Sequence, residues 1–159
     1  MALAGSVAGC RDLNSWRARV ERVMIDSRIT GTATFRIGKR FTFDAAHHLP
    51  SLPADHKCSR VHGHTYTVEF VLESSELTGP GFVTDFGDLT VAGRYLAESF
   101  DHRDLNEVID VEPTSEALAQ HLARWFLAEV EPGVHGRLVA VRVSETPRSW
   151  AEYLLGYPR

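Results

Sequence analysis

Between His62 and Glu73 every second residue carries a large, mostly apolar side chain: His62, His64, Tyr66, Val68, Phe70 and Leu72. A period of two over that length is the pattern of an extended strand with one face buried, because successive side chains project to opposite sides of the backbone. A helix of the same length would scatter these residues around its whole circumference. The segment therefore commits the chain to a β-sheet, and it sets two histidines at the start of the buried face.

The neighbouring segments supply the rest of a domain. Phe35, Ile37, Phe41 and Phe43 share one face of an earlier extended run, which Pro50 and Pro53 bring to an end because proline cannot donate to a ladder. Gly79-Pro80-Gly81 marks a turn, and Phe82-Val83 a short extended piece. Asp85 reads as the N-cap of a helix reaching about Phe100, with Phe86, Leu89, Leu96 and Phe100 on its apolar face. Thr114 reads as the cap of a second helix that buries Leu118, Leu122 and Trp125. Leu138–Glu145 is rich in β-branched residues and reads as a strand, followed by a short last strand over Ala151–Leu155. Two strands, two helices and two strands give an α+β fold with an antiparallel four-stranded sheet and both helices between strands 2 and 3. Residues 1–33 show no strand-like alternation and are expected to be a disordered or weakly packed extension, with 34–159 as the folded domain.

Composition narrows the function. A chain of 159 residues fits one domain with a substantial core. A formal charge of −4 argues against nucleic acid as the main partner, while leaving room for an anionic small molecule at a local basic cluster. No apolar run approaches the ~20 residues that span a bilayer, so no membrane partner is expected. Two cysteines, Cys10 and Cys58, are too few for a disulfide framework, which points to a reducing cytoplasm.

The chemistry gathers where the first strand ends and the second begins. His62 and His64 project to one face with Cβ atoms ~7 Å apart, close enough for two imidazoles to meet at one metal ion. His47, closing the preceding strand, can supply a third nitrogen, and three protein ligands leave the open position typical of catalytic zinc. The plain alternative is that these are ordinary core or surface histidines, since a His-x-His pair is weak by itself. Cys58 can likewise be a small buried hydrophobe. Asp101-His102 can cap a helix end, Glu145 can be a solvated strand terminus, and Thr114-Ser115 a helix start. His48 and His56 are not expected to be ligands; His48 points away from His47 if the strand continues.

Taken in order, Phe43 to His47, His56 to His64, Asp101 to Asn106, Pro113 to Glu116 and Glu145-Thr146 resemble the ordered signature of the 6-pyruvoyl-tetrahydropterin synthase superfamily. The resemblance runs from about Phe35 to Tyr153. It implies the tunnelling fold, with trimers that stack into hexamers, an assembly that would cover the sheet's open edges. Three residues separate Cys58 from His62, a spacing that resembles the bacterial 6-carboxytetrahydropterin synthase branch. That branch converts 7,8-dihydroneopterin triphosphate to 6-carboxy-5,6,7,8-tetrahydropterin, acetaldehyde and triphosphate, a lyase step toward 7-deazapurines such as queuosine. The alternatives are 6-pyruvoyl-tetrahydropterin synthesis on the same scaffold, and a non-catalytic zinc- or pterin-binding module.

The resemblance also implies roles. Zinc on His47, His62 and His64 would acidify protons beside the substrate's side-chain oxygens. Cys58, with an ordinary thiol pKa of ~8.5, would serve as base once a nearby metal and histidine lower it. Asp101 and His102 complete a proton relay with Cys58, the pair coming from the same or a neighbouring subunit. Glu145 is expected to accept paired hydrogen bonds from the pterin's N3–H and 2-amino group and to join the relay. Thr114 and Ser115 are expected to line the pterin pocket.

Overall fold

The computed structural model describes residues 33–157. The expected extension, up to residue 32, and Cys10 lie outside the described residues. Strands β1 (Phe35–His47), β2 (His62–Ser74), β3 (Arg137–Thr146) and β4 (Ser149–Leu154) form one antiparallel sheet in the order β1-β2-β3-β4. Helices α1 (Thr90–Ser99), α2 (Leu105–Val108) and α3 (Ser115–Glu129) all fall between β2 and β3. The tunnelling-fold expectation holds, with one short helix more than the two foreseen.

The alternation in β2 is realised as read. Tyr66, Val68, Phe70 and Leu72 are fully buried against the helices. Phe43 stacks on Tyr66 (centroids 5.1 Å apart) and Phe70 on Phe126 of α3 (4.9 Å). Burial of this apolar face, at roughly 25 cal/mol per Å², is what holds the helix layer on the sheet. Thr114 caps α3 as expected, its hydroxyl accepting the Ala117 N–H at 3.1 Å. Leu118 and Leu122 are buried; Trp125 is half-buried and stacks on Tyr95 of α1, with centroids 3.8 Å apart.

Two readings need correction. The helix expected from Asp85 begins only at Thr90. The Asp85 carboxylate accepts the Gly87 N–H at 2.7 Å, and the Gly87 carbonyl accepts the Thr90 N–H at 3.0 Å, so the chain spends those residues in consecutive turns. Phe86 therefore stays outside the helix and is 49% exposed. Phe35 is exposed as well, because the helix layer does not reach the start of β1. A register shift at Val71/Leu72 brings Leu138 into the core beside Val141 and Val143.

Gly93 lets α1 lie close to β1: a Cβ there would sit 2.6 Å from the ring of Phe41. The sheet's other face carries charge. Glu73 is held between Arg36 (2.7 Å) and Arg137 (3.1 Å), and Arg142 bonds Glu69 and Glu152. Among the described residues no helix is long and apolar enough to cross a membrane.

Candidate functional site

The register of the β1–β2 hairpin sets His47 directly opposite His62 and Ala45 opposite His64. All three imidazoles consequently emerge on the helix-facing side, beside the start of α3. One ring nitrogen from each lies within 4.8 Å of the others. Gly63 between them passes close to β1; a Cβ there would lie 3.3 Å from the Ala45 carbonyl oxygen.

The hydrogen bonds around the rings set their tautomers. His47 Nδ1 donates to the Pro113 carbonyl and His62 Nδ1 to the Arg60 carbonyl, each at 2.8 Å. A carbonyl can only accept, so the proton sits on Nδ1 and the Nε2 lone pair is free. His47 Nε2 and His64 Nε2 are buried with no hydrogen-bond partner. Orphaned buried ring nitrogens of this kind are rare, because each costs about 1–3 kcal/mol when left unpaired. A divalent cation that prefers imidazole nitrogen satisfies them, so the residues present fit such an ion. Burial holds His64 below the ordinary imidazole value; the Glu145 carboxylate opposes that, and the charges of His47, His62 and Lys57 reinforce it. A neutral ring is the form that binds metal.

A cavity of about 910 Å³ opens over the cluster. The three histidines, Cys58, Thr114, Ser115 and Glu145 all line it. Cys58 is a free, half-buried thiol in a single 3-10 turn, Lys57–Ser59. His56 caps that turn by accepting the Cys58 N–H at 3.1 Å. Glu145, at the end of β3, reaches 3.8 Å from His64 Nε2 and accepts the Ser115 hydroxyl at 2.9 Å. His48 and His56 are outside the metal-competent cluster.

Asp101 and His102 are elsewhere. They follow α1 along the outer edge of β1 and do not line the cavity that holds Cys58. Asp101 accepts the Asp44 N–H at 2.9 Å and faces His102 Nδ1 at 3.0 Å; these two contacts, the backbone one first, hold its carboxyl below the usual range. His102 is the one non-glycine residue at positive φ (56°) among those described, its side chain 78% exposed.

Sequence reasoning passed over Lys57, Arg60 and Trp150, which also line the cavity. Lys57 and Arg60 lie inside the His56–His64 motif and were legible as cations beside a metal site. Trp150 had no such signal, since only the β3–β4 hairpin carries it there.

The family model for 6-pyruvoyl tetrahydropterin synthase matches residues 36–155, nearly all of the described fold. The chain belongs to that family. A Synechocystis sp. protein named 6-carboxy-5,6,7,8-tetrahydropterin synthase is 39% identical over 127 residues, covering 74% of this chain and 91% of the relative. A Bacillus subtilis protein of the same name is 33% identical over 130 residues, covering 76% and 85%. Among solved structures, an uncharacterized Wolinella succinogenes protein superposes with a TM-score of 0.68 at 24% identity, covering 77% of this chain and 98% of that one. Caenorhabditis elegans 6-pyruvoyl tetrahydropterin synthase gives 0.66 at 24% identity, covering 78% and 97%. Both share the fold.

Proposed function

We propose that this family member is a cytoplasmic, zinc-dependent 6-carboxytetrahydropterin synthase. With one water, it converts 7,8-dihydroneopterin triphosphate to 6-carboxy-5,6,7,8-tetrahydropterin, acetaldehyde and triphosphate, a carbon–carbon lyase step toward 7-deazapurines such as queuosine. The observation that carries the reading is the convergence of three imidazoles, a free thiol and a carboxylate on one cavity. The names of the relatives supply the product.

Zinc held by His47, His62 and His64 would supply Lewis acidity toward the oxygens of the substrate side chain. Glu145 orients the pterin by accepting its N3–H and 2-amino protons, with Ser115 steadying the carboxylate. Thr114 and Ser115, at the start of α3, form the adjoining wall. Cys58 removes a side-chain proton and returns it later in the reaction.

His102 reaches Cys58 from a neighbouring copy of the chain. The sheet ends in two edge strands, β1 and β4, and β1 runs toward the metal end while β4 runs away from it. Antiparallel pairing of β4 with β1 of the next copy would cover both edges. It would also bring that copy's Asp101–His102 beside Ser149, Trp150 and Ala151, which line the cavity next to β4. Rings of three, stacked in pairs, are the assembly that the family resemblance implies for such edge pairing.

Incubation with 7,8-dihydroneopterin triphosphate tests the reading. Expected products are 6-carboxytetrahydropterin and one equivalent of acetaldehyde. A pyruvoyl product without acetaldehyde would move the chain to the other branch. Zinc-loaded protein that binds the substrate but never turns it over would make it a binding module.

A further inference from the structure

Past Thr42, the outer edge of β1 is covered by the segment Asp101–Asn106. The His102 N–H donates to the Asp44 carbonyl at 2.6 Å, and the Ala46 N–H donates to the Arg103 carbonyl at 2.9 Å. Ala46 and Asp104 form a parallel bridge. The next pair on this edge belongs to His48, but by then the covering segment has turned into α2. Its peptide groups are engaged there: the Asn106 N–H donates to the Asp104 carboxylate at 3.1 Å.

The side chain of Asn106 takes over. Its Oδ1 accepts the His48 N–H at 2.9 Å, and its Nδ2 donates to the His48 carbonyl at 2.9 Å. A carboxamide holds a donor and an acceptor in one plane, as a peptide does, so Asn106 continues the ladder by one rung after the backbone has left it. The peptide units on both sides of His48 are thereby fixed, and one of them carries the Cα of His47.

We propose that Asn106 is a positioning residue for the metal ligand His47. The His47 ring is held at its far nitrogen by the Pro113 carbonyl. Asn106 holds it at its root, so ring direction is determined at two points. This rests on the metal reading above.

The test uses the full chain loaded with zinc or with Co²⁺, reading zinc release to a chelator and the visible Co²⁺ spectrum. Asn106→Ala removes both bonds, and Asn106→Asp keeps the acceptor but sets its second oxygen against the His48 carbonyl. Ile37→Ala, half-buried toward the other end of β1, serves as a control for general loss of stability. Asn106→Ala and Asn106→Asp should both release zinc at least tenfold faster and alter the Co²⁺ bands, with Ile37→Ala like wild type. Should Asn106→Ala fail to fold, Asn106→Asp is read on the same scale. Wild-type release and spectrum in the Asn106 variants would overturn the proposal. So would equal acceleration in Ile37→Ala at a matched loss of melting temperature. Failure of the metal reading looks different: wild type would take up neither ion, or His62→Ala would take up both.

Discussion

His47 and Pro113 are joined by a hydrogen bond from the ring Nδ1–H to the carbonyl oxygen at 2.8 Å. It ties the last residue of β1 to the residue just before the cap of α3, 66 positions along the chain. Because Thr114 and Ser115 follow immediately, one contact sets the tautomer of a candidate ligand and the position of the wall beside it. Candidate metal site and candidate pterin pocket are therefore built as one unit.

Purified protein should contain about one zinc per chain. Alanine at His47, His62 or His64 should remove most of it, whereas His48→Ala and His56→Ala should not, because the latter two lie outside the cluster. Occupancy should also fall in acid, since protonated imidazole cannot ligate, and the burial of His64 sets its share of that loss below the ordinary imidazole value. Elemental analysis of the dialysed proteins decides, and full zinc in a His62→Ala, His64→Ala double variant would sink the site.

Cys58→Ala should keep zinc and the circular dichroism spectrum yet lose about 10²–10⁴ in turnover, the usual worth of a placed acid–base group. The thiol lines the cavity and its side chain makes no hydrogen bond among the described residues, so its loss leaves the fold unsupported nowhere. Wild-type turnover in this variant would make the cysteine structural.

Much of this was legible because the strands follow a strict period of two. His62, His64 and the buried run to Leu72 share a face by register alone, and the β1 partner brings His47 opposite. The cap of α3 was legible too, since Thr114 precedes the apolar helical face directly. The start of α1 was not, because the Asp85 side chain can serve a turn as well as a helix and only the downstream glycine decides. Nor could the sequence show that Asp101–His102 lies along the edge of β1. That placement comes from backbone bonds to Asp44 and Ala46, which leave no mark on side-chain pattern.

Glu73 offers a test of the sheet's charged face. Hydrogen bonds from Arg36 and then Arg137 hold its carboxyl below the usual range. A depressed carboxylate stabilises the fold above its unfolded pKa of ~4.3, and that contribution fades as pH falls through the lower folded value. Glu73→Gln should thus cost about 1 kcal/mol at pH 7, a modest figure because both guanidinium groups are half or more exposed. Denaturation curves of the two proteins should converge as the pH is lowered below 4; a gap that stays constant would assign the effect to packing.

Glu145→Gln separates anchoring from proton relay. Ser115 donates to one carboxylate oxygen, which leaves the other side of the group for the pterin. In the glutamine, keeping the oxygen toward Ser115 turns the amide N–H₂ toward the pterin's own donors. Flipping the amide gives the pterin a single neutral acceptor in place of the carboxylate. Either way at least one charge-assisted bond is lost, a cost of about 1–3 kcal/mol, or roughly tenfold or more in affinity. Equilibrium binding of the product pterin is the measurement, because it involves no proton transfer, and zinc content should stay unchanged. Full affinity with lost turnover would leave Glu145 in the relay alone, and full values of both would remove it from the site.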